Sequence, residues 1–340
     1  MSVIGIDIGG ANLKFSDGQA THRTVPFALW RDPSGLSHAL QSQLQLMPSV
    51  QQLAVTMTGE LCDCFENKRQ GVQAIVDSVE AIAAGRLDAR YYQVSGEFVA
   101  AHAAKADWRL TAAANWHAIA ALSAKEYPDE HGLLVDIGST TTDLIPFANG
   151  VPTPNERDDV GRMLSGELLY CGIGRTPLNV VLPEFLISGT KVGLAAEYFA
   201  SVEDALIVTG LFPESPDSTS PCDQRPLTKP ESLRRLARML CAEPEELASS
   251  VLPELALAAQ RKLLRRISGG VSRLLEAKAG EPSGRIVFSG SGERLGRPLL
   301  RRLEWTGRVA YWGELFGREA SSAAAAFAVA RLAGKDLASW

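Results

Sequence analysis

One strand and turn is written twice in this chain. "VIGIDIGGANLKF" begins at Val3, and "LLVDIGSTTTDLIPF" begins at Leu133. The two segments align without a gap at an offset of 129 residues, so that Asp7 falls on Asp136 and Gly9 on Gly138. A continuous apolar run that ends in glycine is typical of a buried strand followed by a tight turn. The repeat therefore predicts two halves that begin with the same strand, turn and hairpin.

Around each copy, strand patterns alternate with helical patterns, which predicts an α/β fold. The chain of 340 residues is long enough for two domains. The break at "PDEHG" predicts a first domain over 1–130 and a second over 131–318 that carries a helical insertion. Within the first, 106–127 has the periodicity of one helix. The polar segment 214–230 is too long for a minimal connection and predicts a loop beside a ligand site.

The residues at the two turns have the chemistry of a phosphate site. Glycine lets the backbone approach a ligand and leaves its N–H groups free to bind an anion. Asp7 and Asp136 would repel a phosphate directly, but carboxylates at these positions would hold Mg²⁺, which neutralises phosphates. Lys14 would add a positive charge over the same ligand. The predicted phosphate-binding residues of the two turns are Gly9, Gly10, Asn12, Gly138, Ser139, Thr140 and Thr141.

Composition restricts the partners. The formal net charge of −5 argues against a nucleic-acid partner, because such binding calls for a basic domain. No apolar run has the length of a membrane span, and the sequence starts directly in a strand pattern without a signal peptide, so we expect no membrane association. Five irregularly spaced cysteines favour reduced thiols and a cytoplasmic location. Cys62 and Cys64 are expected to border the cleft, and His117 to be a core or interface histidine.

A third segment extends the pattern. "GRIVFSGSGERLGRPLL" reads as strand, glycine turn and helix, and it resembles the loop that contacts a nucleotide in the superfamily of sugar kinases, heat-shock ATPases and actin. The resemblance implies a duplicated actin-like (ribonuclease H-like) ATPase fold, with two domains around a central phosphate-binding cleft. It adds Gly290 and Gly292 to the phosphate-binding residues. It also implies that a helix over 319–334 completes the first domain.

Sugar kinases of this fold carry an aspartate beside an asparagine where the chain has "LTAAANWHAIAAL". Asn115 is present here, but alanines replace the aspartate that would take the substrate's proton, which disfavours that chemistry. The segments "VTMTGELCD", "AAANWHA", "LLVDIGSTTTDLIP" and "GELLYCGIGRTPL" instead resemble the hydantoinase A-like branch. Within it, "CDQRPLTKPESLRRLARMLC" resembles the group linked to tetrahydromethanopterin-dependent one-carbon metabolism, which includes an archaeal synthase of methanofuran biosynthesis.

The resemblance implies a transferase that condenses an (aminomethylfuranyl)methyl diphosphate with a tyramine- or tyrosine-type phenol. An aryl ether forms and pyrophosphate leaves, with Mg²⁺ as cofactor and without ATP. Asp7, Asp136, Lys14 and Glu60 would be the catalytic residues. Glu60 either acts as the base for the phenol or caps the following turn. Arg175 and Thr176 either bind the substrate's carboxylate or, for the arginine, form a structural ion pair.

Two other functions stay open on the sequence alone. One is an ATP-dependent small-molecule kinase or hydantoinase-like ATPase, which would use the loop at Gly290 to hold adenosine. The other is a nucleotide-binding scaffold of the actin type, which would not need both metal-binding aspartates. The acceptor substrate, the general base and the oligomeric state, including a homo-oligomer, are also left open.

Overall fold

The computed structural model describes residues 2–47, 50–83, 85–277 and 284–336. Two mixed sheets form the centre of the molecule, one from each half of the chain. The strands are β1 (Val3–Ile8), β2 (Asn12–Ser16), β3 (His22–Pro26), β4 (Gln52–Met57), β5 (Asp88–Tyr92), β6 (Phe98–Val99), β7 (His131–Ile137), β8 (Thr142–Ala148), β9 (Val151–Pro152), β10 (Leu168–Leu169), β11 (Glu184–Ile187), β12 (Thr190–Gly193), β13 (Ser215–Thr219), β14 (Pro226–Leu227), β15 (Arg285–Ser289) and β16 (Arg308–Tyr311).

Helices cover both sheets and form most of an insertion in the second half. They are α1 (Leu36–Leu44), α2 (Lys68–Ala83), α3 (Ala101–Ala106), α4 (Trp108–Thr111), α5 (Asn115–Lys125), α6 (Asp159–Ser165), α7 (Leu178–Val181), α8 (Val202–Val208), α9 (Lys229–Arg238), α10 (Val251–Ala277), α11 (Gly296–Leu303), α12 (Trp312–Leu315), α13 (Arg318–Ser322) and α14 (Ala324–Asp336).

The two copies of the repeated sequence form hairpins with the same pairing of strand residues. The first sheet has the order β3-β2-β1-β4-β5-β6, and the second has β10-β8-β7-β15-β16 with β9 beside β8. In the antiparallel pair β1–β2, Asp7 lies opposite Lys14. In the antiparallel pair β7–β8, Asp136 lies opposite Asp143 at the corresponding position. The two halves are therefore built on the same hairpin.

The turns of these hairpins are closed by the same backbone hydrogen bond. The Gly9 N–H donates to the Asn12 carbonyl at 3.0 Å, and the Gly138 N–H donates to the Thr141 carbonyl at 2.8 Å. In each half a parallel strand lies on the other side of the first strand: β4 beside β1 and β15 beside β7. Because parallel strands end at the same edge of a sheet, the segments after β4 and β15 lie beside the two turns.

The helical pattern over 106–127 is interrupted, and the prediction of one helix there was wrong. The chain forms α3 and α4, leaves the helical conformation, and resumes as α5 at Asn115. At the break, Ala113 has a φ of +48°, a left-handed conformation that alanine rarely adopts. Alanine favours helices locally, so the break comes from packing around the segment and not from its propensity.

The C-terminal helical segment packs on the first sheet. Two helices, α13 and α14, form where the sequence predicted one, and α14 runs across β1. At their closest approach, a Cβ atom on Gly5 would lie only 1.9 Å from the carbonyl oxygen of Ala326. Only glycine allows this distance, so Gly5 and the alanines of α14 bring the helix against the strand.

The segment 214–230 contains a short hairpin, and none of its residues lines the cavity that lies between the two halves. β13 and β14 pair with each other, and Asp223, in the turn between them, accepts a hydrogen bond of 3.1 Å from the buried Arg235 of α9. The insertion packs on its own apolar cluster, which includes Leu236 and Leu255. A search of the described residues finds no helix with the length and hydropathy needed to span a bilayer.

We predict that Gly5→Ala destabilises the protein by about 1–3 kcal/mol, because the added methyl group forces α14 away from β1. Gly269→Ala is the matched control, since Gly269 lies inside α10 and a Cβ atom there would meet no atom within 4 Å. Alanine should stabilise that helix by about 0.5–1 kcal/mol. Chemical denaturation measures both changes, and equal effects of the two substitutions would contradict the packing described here.

Candidate active site

A cavity of about 750 Å³ lies between the two halves. Both hairpin turns line it, together with the turn that follows β15. The lining residues from these three turns are Gly9, Gly10, Ala11, Asn12, Gly138, Ser139, Thr140, Thr141, Gly290 and Ser291. The structure thus brings both repeated turns, and most of the residues predicted for phosphate binding, to one cavity.

Two buried carboxylates, Asp7 at the end of β1 and Asp136 at the end of β7, lie on the cavity wall. Burial raises the pKa of Asp7 above its ordinary value. Burial, followed by the neighbouring Asp143, raises the pKa of Asp136 to about 6, although Asp136 Oδ1 accepts a 2.6 Å hydrogen bond from Ser289 Oγ. The positive charge of Lys14 opposes both shifts, so one lysine interacts with a carboxylate from each half.

These carboxylates have the donor chemistry of a magnesium site. Asp7 Oδ1 is buried and has no hydrogen-bond partner among the described residues, so a ligand for this oxygen is missing from the protein itself. The described residues contain no cluster of three or more His, Cys, Asp or Glu side chains suited to a metal. Mg²⁺ is commonly held by one or two carboxylates, with water and substrate phosphates as its other ligands. Asp7 and Asp136 fit that pattern.

Glu60, in the turn after β4, is another buried acid that lines the cavity. Its Oε2 atom has no hydrogen-bond partner among the described residues. Burial raises the pKa of Glu60 to about 7, while the charge of Lys68 opposes this shift and the charges of Asp159 and Asp7 add to it. A carboxyl group with this pKa can accept a proton near neutral pH, which is the property of a general base.

The corresponding acid in the other half is used differently. The Gly59 N–H donates to the Ile8 carbonyl, and the Gly292 N–H donates to the Ile137 carbonyl, so Glu60 and Glu293 follow equivalent positions. Glu293 Oε2 accepts hydrogen bonds from Gly313 N at 2.9 Å and from Ser321 Oγ at 2.7 Å. One acid is therefore satisfied by the fold, whereas Glu60 leaves an oxygen unpaired at the cavity.

An ion-pair network joins the two halves beside Glu60. Lys68 of α2 lies 3.0 Å from Asp159 of α6, and both residues line the cavity. Arg162 of the same helix is buried, contacts Asp143 at 2.5 Å, and stacks 4.0 Å from the ring centre of Trp116. Sequence analysis missed this network. Its local signal was Asp158, which caps α6 by accepting from the Gly161 N–H.

Of the predicted site residues Arg175, Thr176 and Gly292, Arg175 lines the cavity and the other two do not. Arg175 lines the cavity, and its guanidinium carbon lies 5.7 Å from the ring centre of Trp30. Thr176 is buried, does not line the cavity, and accepts a 2.8 Å hydrogen bond from Gly172 N. Gly292 is also outside the lining, because its backbone packs against Ile137. Thr176 and Gly292 thus contact neighbouring loop and strand residues and do not line the cavity.

His117 lies in the core of the protein, and Cys62 lines the cavity. His117 is buried on α5, its Nδ1 lies 2.9 Å from the hydroxyl of Tyr92, and burial lowers its pKa to about 4. It is a neutral core histidine, as the sequence indicates. Cys62 lines the cavity, where burial raises its thiol pKa to about 11, and Cys64 is outside the lining. All five cysteines are unpaired.

Residues 52–334 match the hydantoinase/oxoprolinase family. The chain belongs to that family. A synthase from Methanocaldococcus jannaschii is 30% identical over 98% of both chains. A synthase of the same name from Methanococcus vannielii is 30% identical over 62% of this chain and 93% of its own. The name of both describes a furan methanamine that carries a γ-L-glutamylaminoethyl phenoxymethyl group.

The fold of this family member is also found among solved structures. A nucleotide-free acetone carboxylase superposes with a TM-score of 0.56 at 11% identity, over 97% of this chain and 70% of the other. The predicted actin-like architecture, with two α/β domains around a cleft, is thereby confirmed. The family match confirms the predicted resemblance to the hydantoinase A-like branch, and the identity to the Methanocaldococcus jannaschii synthase confirms the predicted relation to an archaeal synthase.

We predict that Glu60→Gln stabilises the protein increasingly as the pH rises from 4.5 to 7. The ordinary pKa of glutamate is 4.5 and the pKa of folded Glu60 is about 7, so in this window the folded chain binds a proton that the unfolded chain releases. In this window the titration of Glu60 lowers the free energy of unfolding of the wild type by up to about 1.4 kcal/mol per pH unit, whereas glutamine does not titrate. Urea unfolding at pH 5 and pH 8 measures the difference. Glu184→Gln, at an exposed glutamate, is the control, and parallel pH profiles for both variants would contradict the assignment.

Proposed function

We propose that this family member is a transferase of methanofuran-type cofactor biosynthesis. It would join the methyl carbon of an (aminomethylfuranyl)methyl diphosphate to the phenol oxygen of a tyramine- or tyrosine-type acceptor and release pyrophosphate. The observation that carries the proposal is the 30% identity, over 98% of both chains, to a synthase whose named product contains this phenoxymethyl-furan linkage. We further propose a cytoplasmic role in tetrahydromethanopterin-linked one-carbon metabolism.

The inner end of the cavity suits the diphosphate. Both hairpin turns offer backbone N–H groups and small side chains, and Lys14 supplies a positive charge beside them. Asp7 and Asp136 would hold Mg²⁺, which when bound stabilises negative charge on a departing pyrophosphate. The protein's own contribution is to fix the turns before the reaction, so that donors are already in place as charge develops.

Glu60 suits the phenol. As the phenol oxygen bonds to the furanylmethyl carbon, the bond from that carbon to the diphosphate oxygen breaks, and the phenol proton passes to the Glu60 carboxylate. Glu60 lines the same cavity as the turns, and its unpaired Oε2 is available to accept this proton. The atoms balance without an oxidant or a nucleotide, because pyrophosphate leaves with the electron pair of the broken bond.

The start of α5 disfavours a sugar-kinase reaction. Ala113 and Asn115 line the cavity there, and neither can take a proton from a hydroxyl group as the kinase aspartate does. The ATP-dependent alternative stays testable, because Gly290 and Ser291 line the cavity and would be the place for adenosine.

Purified protein should form the ether from the furan diphosphate and a phenolic acceptor with Mg²⁺ and without ATP, as measured by mass spectrometry. Asp7→Asn and Asp136→Asn should each lower the rate by about 100-fold or more, because each removes charge that would hold the metal. Asp217→Asn, at an exposed aspartate of β13, is the matched control. A reaction that requires ATP would overturn the proposal and support the kinase or ATPase alternative.

The pH dependence of the reaction should report Glu60. Because only its ionised form accepts a proton and its pKa is about 7, kcat/KM should rise with pH up to about 7 and then level off. Glu60→Gln should lose about 100-fold or more in rate together with this rising limb. A variant that keeps the wild-type profile would exclude Glu60 as the base.

A further inference from the structure

Large apolar side chains surround the mouth of the cavity. Trp30, Leu61, Val160, Met163 and Tyr170 all line it, and each is between 40% and 62% exposed. They come from both halves of the chain, whereas the acids at the inner end are buried. Exposed apolar clusters of this kind mark ligand or partner sites, because water contact with them is unfavourable.

Backbone hydrogen bonds join two segments at the cavity mouth to equivalent positions of the phosphate turns. The Gly10 carbonyl accepts a 3.0 Å hydrogen bond from Leu29 N, next to Trp30. The equivalent Ser139 carbonyl accepts bonds of 3.0 and 2.9 Å from the N–H groups of Gly174 and Arg175. One side chain from each half therefore lies at the mouth, where the guanidinium carbon of Arg175 is 5.7 Å from the ring centre of Trp30.

Arg175 carries a positive charge that the fold does not neutralise. Within residues 2–47, 50–83, 85–277 and 284–336, no carboxylate oxygen lies within 4.0 Å of its guanidinium nitrogens. The charge of Arg175 opposes the rise in pKa of Cys62 and Tyr198. A thiol and a phenol are uncharged near neutral pH, so neither group neutralises the arginine. A guanidinium beside an indole ring therefore faces the cavity with capacity to bind an anion.

We infer that this mouth is the acceptor subsite, built for an aromatic ring that carries a carboxylate on a flexible tail. The ring would pack among Trp30, Leu61 and Tyr170, and the carboxylate would pair with Arg175. This inference rests on the proposed function for the identity of the reaction. It adds to that function the residues that select an aromatic, anionic acceptor over an aliphatic or uncharged one.

The direction of approach favours this occupant. The turns and the buried acids would enclose the diphosphate at the inner end, so the second substrate has to enter from the open side. Leu29, next to Trp30, and Arg175 are each hydrogen-bonded to one of the two phosphate turns, so an acceptor bound at the mouth would lie next to the diphosphate. A second copy of the chain would bury the apolar rim but would block that entry.

The test measures binding separately from catalysis, by calorimetry with tyramine and N-γ-glutamyltyramine. Wild-type protein should bind the glutamylated phenol at least about 10-fold more tightly than tyramine. Arg175→Met should abolish that preference and leave tyramine binding unchanged. Leu61→Ala should weaken both phenols about 5-fold, whereas Leu186→Ala, at a leucine of similar exposure on β11 (60% and 58%), should weaken neither. Pyrophosphate binding should be the same in all four proteins.

The possible outcomes separate this inference from the proposed function. Ether formation with unchanged acceptor KM in Arg175→Met and Leu61→Ala would overturn the subsite and leave the transferase standing. Phenol binding that depends on Arg175 and Leu61, without ether formation, would support the subsite and overturn the reaction. Sedimentation that shows a dimer dissociated by Leu61→Ala, with no phenol binding, would assign the rim to a second copy and overturn the inference.

Discussion

Two buried carboxylates, one from each half of the chain, share the charge of a single lysine. Placing Asp7 and Asp136 away from water is unfavourable, and Lys14 offsets only part of that cost. The arrangement exists only when both halves are packed together, since each supplies one acid. The proposed metal site therefore depends on the packing of the two halves against each other.

The duplication gives two equivalent backbone arrangements, but the side chains at matching positions have different environments. Glu293 is bound by a backbone amide and a hydroxyl group, so it strengthens the connection between the turn after β15 and the helices that follow. Glu60 stands at the matching position with an unpaired oxygen. Likewise Lys14 has Asp143 as its counterpart, and that acid is neutralised by Arg162. At these two matching positions the first half has an acid with an unpaired oxygen and a lysine, whereas the second half has acids held by hydrogen bonds or by an ion pair.

The features of the site that could be predicted from the sequence are those that lie within the repeat itself. The strand ends, the turns and Asp7 and Asp136 follow from short patterns that carry their own backbone geometry. Trp30, Lys68 and Arg162 were missed because what brings them to the cavity is tertiary packing, and nothing in their neighbours distinguishes them from ordinary loop or helix residues. The environment of Thr176 also depends on tertiary structure: it is buried outside the cavity lining, and its hydroxyl accepts a hydrogen bond from Gly172 N.

The packing of α14 on β1 has a consequence for how the chain is made. The first sheet is formed by residues 3–99, but the helix that covers β1 is formed by residues 324–336. During synthesis part of the apolar face of the amino-terminal sheet therefore stays uncovered until residues 324–336 have left the ribosome. The first half is therefore covered by a helix that follows the second half in the sequence, so the two halves depend on each other for complete packing.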